Sequence, residues 1–345
     1  MKVDFIIVGQ GIAGTSFAFE LLRQNKSFII IDSNERITAS KVALGIYNPL
    51  VLKWFSKVWR IDEQLKYFYP FYNSLGKFLN KKIIYDIGIY KYLSNSLQQN
   101  NWMVKSAHLN KEKYMSNNLL NITNSNINSL NYYGLINFAG RIDISSIIHL
   151  FRSYCLKKKY LLQDSFSYKS LVIKSDCIKY QNINSRNIIF CEGYRVYQNP
   201  FFNLNIIPTK GEVVIFNSKK LKLDKIIHSG ALIVPLGNDQ YAIGSTYNLN
   251  DSTNHITRDA KDHFYSILKS SFNCTFEFIN HYAGVRPATI DRKPIIGSHF
   301  KYKNMFVLNG LGSRGVMYAP YLSKVLINSI YSSSKIDDEL QIYRN

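Results

Sequence analysis

An apolar run, Val3-Asp4-Phe5-Ile6-Ile7-Val8, passes without a break into Gly9-Gln10-Gly11-Ile12-Ala13-Gly14 and then into a helical pattern; no other stretch restricts the fold so tightly. A chain on this path has to turn sharply at Gly9, let a ligand approach the backbone at Gly11 and pack a new helix closely on the strand at Gly14. A Cβ obstructs each step. The helix N-terminus then offers unpaired N–H groups and the positive end of a dipole, which suit a pyrophosphate. A Gly-x-Gly-x-x-Gly run alone is common in α/β proteins, so its surroundings matter. Residues 15–24 have helical spacing, with Phe17, Phe19, Leu21 and Leu22 as apolar surface, and a second apolar run, Phe28-Ile29-Ile30-Ile31, ends in Asp32. That acid lies about twenty residues beyond the glycines, where a carboxylate accepts hydrogen bonds from ribose hydroxyls. The sequence therefore predicts a dinucleotide held by Gly9, Gly11, Ile12, Ala13, Gly14 and Asp32.

At 345 residues the chain is too long for one small core and fits two lobes, or a nucleotide domain with a second sheet inserted into it. The first strand starts at Val3 with no basic segment or small-residue cleavage site before it, and no stretch approaches eighteen uninterrupted apolar residues. A cytoplasmic protein without membrane contact is expected. Cys155, Cys177, Cys191 and Cys274 have no Cys-x-x-Cys spacing and no histidine cluster nearby, so neither a metal site nor a disulfide framework is predicted. The 43 Lys and Arg against 23 Asp and Glu give a net charge of +20, an electrostatic footprint that suits RNA or a membrane surface. The cations are dispersed, however, in short clusters such as Lys157 to Lys159, and a bias toward Lys, Asn, Ile and Tyr runs along the whole chain. Charge admits a nucleic-acid partner and does not require one.

Beyond Asp32, residues 39–49 form a loop of small side chains closed by Pro49, suited to approaching something flat and large. The spacing of Leu65, Phe68, Tyr69, Tyr72 and Leu75 predicts helical segments over residues 58–79, interrupted or restarted at Pro70. Short strands are expected over residues 83–92, a helix around residues 110–114, a polar loop over 116–131 and a helix over 142–157. Three strand candidates follow at residues 170–173, 177–180 and 187–191, the last running into Gly193, as where a backbone passes near a cofactor. Strands near residues 211–216, 231–235 and 241–245 read as an antiparallel set, followed by a helix over 258–268 and a strand over 276–282.

Two stretches near the C-terminus carry the remaining chemistry: residues 283–297, containing Gly284-Val285-Arg286-Pro287 and Asp291, and the apolar run 305–308 leading into Asn309-Gly310-Leu311-Gly312-Ser313-Arg314-Gly315. The second repeats the logic of the opening motif, a strand, a glycine turn and then a helix over 316–330. Its amides and dipole suit an anionic group. Pro320 fits if the helix begins near Tyr318 and otherwise implies a kink.

These pieces, in this order, resemble the FAD-dependent D-amino-acid oxidase superfamily, and more closely its glycine-oxidase-like branch. The matching residues are Gly9 to Gly14 with Asp32, the 40–49 loop, Lys210-Gly211-Glu212-Val213, Gly284-Val285-Arg286-Pro287 with Asp291 and Pro294-Ile295-Ile296-Gly297, and Gly310 to Gly315. The last turn, with Ala319-Pro320, is similar to the FAD domain of bifunctional enzymes that finish the wobble uridine of tRNA. The resemblance implies an α/β fold, an FAD-binding Rossmann-like domain with a central parallel sheet and an interleaved antiparallel-sheet substrate domain. Residues 1–80, 140–200 and 284–345 would form the first domain, and 81–139 and 201–283 the second.

The implied cofactor is non-covalent FAD, since the cysteines and histidines lie outside the matched motifs. Its adenosine half would rest on Gly9 to Gly14 and Asp32. Its ring would lie between Ser40, Ala43 and Gly45 on one side and Gly310, Gly312, Ser313, Arg314, Gly315 and Val316 on the other, with Gly193 nearby, so that the two glycine bends converge on one molecule. The resemblance gives Arg286 the substrate carboxylate, a role its planar guanidinium suits, against an ion pair with an acid of the nucleotide lobe. The branch's second basic residue falls on Ser313 or Arg314. Tyr241 and Tyr247, expected on one face of a covering strand, could supply a phenol to the substrate, Tyr247 being the one carried forward, although in a chain with 25 tyrosines core packing is the first expectation for either. The implied reaction is oxidation of a small-molecule amine or amino acid: hydride moves from the carbon bearing nitrogen to flavin N5, the imine hydrolyses, and oxygen accepts the electrons. Alternatives are an FAD-dependent oxidase acting on carboxymethylaminomethyl-uridine in tRNA, and a flavoprotein without turnover.

Overall fold

The computed structural model describes residues 1–344 apart from 36, 109–111, 129–131, 175 and 333. The chain opens with β1 (Lys2–Val8), α1 (Ile12–Arg23) and β2 (Phe28–Ile31), and a short helix α2 (Ala39–Val42) follows. The small strands β3 (Ile46–Tyr47), β4 (Leu50–Val51) and β5 (Ser56–Lys57) lead into the long helix α3 (Ile61–Phe78). Next come β6 (Ile84–Tyr85), β7 (Ile89–Leu93), α4 (Ser96–Ser106), β8 (Tyr132–Ile136), β9 (Gly140–Ile142) and α5 (Ile144–Lys157). The nucleotide-type sheet resumes with β10 (Leu161–Leu162), β11 (Leu171–Ile173), β12 (Ile178–Tyr180) and β13 (Ile183–Phe190). A second sheet is built from β14 (Ile206–Asn217), β15 (Ile226–Ser229), β16 (Ala231–Gly237), β17 (Gln240–Gly244) and, after α6 (Arg258–Ser271), β18 (Glu277–Thr289). The chain returns to the first sheet with β19 (Ile295–Ser298), β20 (Met305–Asn309) and α7 (Gly315–Tyr331).

The first sheet has the order β10-β2-β1-β13, and β13 pairs on its far side with both β12 and β20. The strands β10, β2, β1, β13 and β20 run parallel. Parallel strands are covered on both faces and so read as near-continuous apolar runs; Phe5 to Val8, Phe28 to Ile31 and Ile188 to Phe190 are all buried. Their C-terminal ends deliver Gly9, Asp32, Gly193 and Gly310 to one edge of the sheet, the place where open α/β sheets bind ligands.

The second sheet has the order β18-β14-β17-β16-β15-β7-β8. It is antiparallel except for the β15/β7 pair, which is parallel. Its outer face, with Val214, Ile233, Tyr241 and Ile243, packs with Phe264 and Leu268 of α6. Its inner face, with Val213, Val234 and Ala242, joins the large core formed with α1, α3, α5 and α7. The sheet therefore lies as a cover over the nucleotide lobe.

Four local expectations are corrected. Helix α3 runs unbroken through Pro70. Phe68, Phe71, Tyr72 and Leu75 are buried along it; at about 1.5–3 kcal/mol for each large apolar side chain, this outweighs a proline cost of about 3 kcal/mol. The carbonyl freed at Lys66 belongs to an exposed residue and can be hydrated. The helix expected around residues 110–114 is a turn at Glu112 to Tyr114, with 110 and 111 outside the described residues; the helix of this region is α4, capped by Asn95 Oδ1 accepting from Gln98 N at 2.9 Å. Helix α7 begins at Gly315, so Pro320 lies inside it. Tyr241 and Tyr247 do not share a face: Tyr241 stacks on Phe216 in the outer core, whereas Tyr247 follows the end of β17 and is 61 % exposed.

Candidate cofactor and substrate site

The opening turn has the geometry its glycines require. Gly9 has φ +96°, and a Cβ there would lie 2.6 Å from the Cys191 carbonyl oxygen. A Cβ on Gly14 would lie 2.0 Å from the Gly9 carbonyl oxygen. The amides of Ala13 and Gly14, in the first turn of α1, have no intrahelical acceptor. The amide of Ile12 donates to Ser40 Oγ at 3.0 Å. A hydroxyl that accepts still has its own proton to give, so Ser40 places a donor at the mouth of the turn.

Asp32 stands beside this turn and is already engaged. Its Oδ1 accepts from Arg152 Nη1 at 2.7 Å and from Asn34 N at 2.9 Å, and its Oδ2 accepts from Gln10 N at 2.8 Å. Arg152, from α5, also donates to Gln10 Oε1 at 2.8 Å. Each carboxylate oxygen offers about two acceptor positions, so Oδ2, with one donor among the described residues, has room for another. Sequence reading missed Arg152, because it comes from a helix 120 residues away.

The second glycine turn meets the first. A Cβ on Gly315 would lie 3.0 Å from Ile12 Cγ2, so the two bends are in contact. Asn309, only 1 % exposed, ties the turn together. Its Nδ2 donates to the Gly193 carbonyl and its Oδ1 accepts from Gly310 N, both at 2.8 Å. This linchpin was not singled out from sequence, although an Asn-Gly pair at the end of an apolar run is a turn signal. Gly193 and Gly310 have φ +60° and +71°, and nothing lies within 4 Å of the Gly193 Cβ direction. Gly312 N donates to the Pro287 carbonyl at 2.9 Å, which joins the turn to the strand carrying Arg286.

The intervening loop contributes unevenly. Ser40 faces the turn and Ala43 is exposed at the end of α2. Gly45 is buried with φ +69°, and a Cβ there would lie 1.9 Å from the Ile142 carbonyl oxygen. Packing on β9 is enough to require glycine at that position.

Arg286 lies on β18, on the same face as Gly284, whose Cβ direction meets Ala39 and Val42 of α2. Its Nη2 donates to Ser245 Oγ at 2.6 Å, and both terminal nitrogens reach the Thr246 carbonyl at 3.3 Å. The guanidinium fills the space over Gly211, where a Cβ would come within 1.7 Å of Nη2, and its Cζ lies 6.0 Å from the Tyr247 ring centroid. Among the described residues no carboxylate pairs with it. Burial lowers its pKa without discharging it. The alternative expectation, an ion pair with an acid of the nucleotide lobe, is not met among the described residues.

Ser313 is exposed, and Arg314 turns away to donate to the carbonyls of Asn48 and Leu50 at 3.3 and 3.4 Å. Arg314 therefore braces the β4 approach to the turn. Glu192, between Cys191 and Gly193, was not among the sequence candidates. It accepts from Asn199 Nδ2 at 2.8 Å and from the Tyr168 hydroxyl, and burial pushes its pKa up to about 7. Cys155 and Cys191 are buried, and burial raises both thiols, that of Cys155 to about 12. Neither is a poised nucleophile.

Comparison with known proteins agrees with this geometry. Residues 172–328 match the family model described as DAO, FAD dependent oxidoreductase. Glycine oxidase from Bacillus cereus superposes with a TM-score of 0.81 at 16% identity, covering 96% of this chain and 98% of that one. Iminodiacetate oxidase from Chelativorans sp. BNC1 superposes with a TM-score of 0.77 at 15% identity, covering 95% of each chain. The tRNA 5-methylaminomethyl-2-thiouridine biosynthesis bifunctional protein MnmC of Pseudoalteromonas atlantica is 27% identical over 160 residues, 37% of this chain and 23% of that protein. The chain spans only about a quarter of that relative. The family matched over residues 172–328 is FAD-dependent, and the superpositions show that the chain shares the fold of these oxidases.

Proposed function

We propose that the protein oxidises a small amine or amino acid at its carbon–nitrogen bond, with the substrate carboxylate held by Arg286. The observation that carries this reading is the Arg286 guanidinium, which lies over Gly211 on the inner face of the second sheet and among the described residues donates only to neutral acceptors. A charged fork in such a place is satisfied by a carboxylate, which it binds with two parallel hydrogen bonds.

The residues at both glycine bends fit FAD: backbone crowds Gly9 and Gly14 where a turn must be tight, and Gly193 is open where a ligand must approach. Gly11, Ile12, Ala13 and Gly14 with Ser40 would hold the pyrophosphate, Asp32 the ribose, and the amides of Gly312 to Val316 the pyrimidine edge of the ring. Bound FAD supplies the two-electron oxidation. The chain's own work is placement. Arg286 fixes the substrate carboxylate, so that the carbon bearing nitrogen faces the ring, and Tyr247 covers the guanidinium from the solvent side. The substrate gives up hydride from that carbon, and the imine product hydrolyses in water.

Anaerobic mixing of the FAD-loaded protein with glycine, sarcosine, proline and D-amino acids tests this. Loss of the yellow flavin absorbance with at least one of them is expected, and no bleaching with any amine overturns it. A second reading, in which the amine is a carboxymethylaminomethyl group on a tRNA uridine, draws support from the likeness to a tRNA-biosynthesis protein and from the net charge of +20. Strongly salt-dependent tRNA binding favours it, and affinity unchanged between low and moderate salt removes it.

A further inference from the structure

The triplet Lys210-Gly211-Glu212, conspicuous in the sequence, has as yet no role. It lies on β14, the strand paired with the one that carries Arg286. Val213 of β14 belongs to the inner core and Val214 to the outer one, so by alternation Gly211 faces inward while Lys210 and Glu212 face outward. The triplet therefore acts on both sides of the sheet.

On the inner side Gly211 offers bare backbone, and the Arg286 guanidinium lies where its Cβ would be. The guanidinium is held there by the segment between β17 and α6, through Ser245 Oγ and the Thr246 carbonyl, and its Nη1 also reaches the Lys210 carbonyl at 3.5 Å. That segment is fastened to β14 along its length. Thr246 N donates to the Glu212 carbonyl at 3.3 Å, and Glu212 N donates to Thr246 Oγ1 at 2.9 Å. Lys210 and Asn248 exchange main-chain hydrogen bonds at 2.8 and 3.0 Å, and Lys210 Nζ pairs with Asp251. The Glu212 carboxylate lies beside His281 and accepts from Thr257 N and Thr257 Oγ1, both at 2.8 Å, where Thr257 caps α6. Lys210 and Glu212 are 1 % and 4 % exposed. A buried ammonium and a buried carboxylate are costly without such partners, so both charges oppose lifting of the segment off the strand.

We infer that Lys210, Gly211 and Glu212 are positioning residues for Arg286: Gly211 seats the guanidinium, and the two flanking charges hold down the segment that supplies its acceptors. The inference rests on the reading of Arg286 as the holder of the substrate carboxylate, and it makes that holder preformed, with its geometry set before substrate arrives.

Gly211→Ala in the FAD-loaded protein tests the seat, because the new methyl meets only the flexible end of an arginine and leaves the strand intact. Calorimetric titration with acetate should show binding weakened by about tenfold or more, the scale of one charge-assisted hydrogen bond, with flavin content and thermal midpoint little changed. In an Arg286→Lys background the same substitution should cost much less, since the slimmer ammonium leaves room for the methyl. Glu212→Ala should also weaken acetate binding, and Glu212→Gln, which keeps an acceptor for Thr257, should recover part of the loss. The Nε resonance of Arg286, identified by its disappearance in Arg286→Ala, should move in Gly211→Ala with or without acetate. A resonance unmoved by Gly211→Ala, or an acetate affinity unchanged by it, overturns the positioning role. Acetate that fails to bind the wild type, or binds Arg286→Ala equally well, sinks the carboxylate reading instead, and the resonance then decides the positioning role alone.

Discussion

The Tyr72 hydroxyl donates a 2.7 Å hydrogen bond to the main-chain carbonyl of Val316, the carbonyl that Pro320 leaves without its helical donor four residues later. Both groups are buried. A kink-prone proline is thereby accommodated one turn from the C-terminal glycine bend, and α3 is fastened to the helix whose N-terminus faces the site. Tyr72→Phe should cost about 1–3 kcal/mol, the penalty of an orphaned buried acceptor. Urea unfolding measures it. The loss should shrink in a Pro320→Ala background, where residue 320 regains an N–H, and an undiminished loss would show that the hydroxyl serves something else.

Gly14→Ala should abolish FAD retention, because its new Cβ would sit 2.0 Å from the Gly9 carbonyl oxygen and force the turn open. Gly193→Ala meets no protein atom within 4 Å, so its Cβ enters the space assigned to the ligand and adds the left-handed backbone cost of about 1–2 kcal/mol. The ratio of flavin to protein absorbance after purification compares them: near zero for the first and reduced but measurable for the second.

Arg286→Ala should keep FAD and lose substrate, with kcat/KM falling on the order of 10- to 100-fold for carboxylate-bearing amines, the worth of charge-assisted hydrogen bonds. Arg286→Lys should recover only part, since an ammonium cannot reproduce the planar fork. An amine without a carboxylate should be oxidised equally by all three proteins.

Glu192 makes stability depend on pH in a particular direction. Its folded pKa, about 7, lies above the ordinary carboxylate value of 4.5, so the folded state binds the extra proton between these limits. Stability from this group is full below pH 4.5 and is lost as pH rises through 7, by up to roughly 3 kcal/mol. Glu192→Gln should flatten that slope in thermal melts between pH 5 and 8. A slope unchanged in the variant would assign it to other groups.

Lys210 is 1 % exposed and pairs with Asp251 at 2.6 Å, which pins the loop that offers Ser245 Oγ and the Thr246 carbonyl to Arg286. Asp251→Asn should lower the thermal midpoint by leaving the buried Lys210 ammonium with only the more distant Glu212 carboxylate at 3.8 Å, and Lys210→Met with Asp251→Asn should recover much of the loss. KM should rise in the single variant as Arg286 loses its fixed neighbours.

The elements nearest the glycines were legible because their signals are local. Strand β1 and the turn at Gly9 announce themselves through an apolar run and missing side chains, and the residues of β20 with Gly310 repeat that pattern. Pro70 misled because a local rule was set against the burial of Phe68, Phe71 and Tyr72, whose partners come from other segments. Helix α4 was overlooked for the related reason that its apolar face is mostly Trp102, which needs the bare backbone of Gly134 beneath it.

The chain's order of residues alone determined that there would be two glycine bends, an acid after β2 and an arginine before Pro287, since each follows from backbone sterics and residue type within a short window. Only the tertiary structure decided that Ile12 touches Gly315, that Arg152 takes one side of Asp32, that Asn309 binds Gly193 and that among the described residues no carboxylate pairs with Arg286. These are contacts between segments more than a hundred residues apart, or between strands whose faces depend on register. Long-range pairing is fixed by how the sheets and helices bury their surfaces together, which no local window contains.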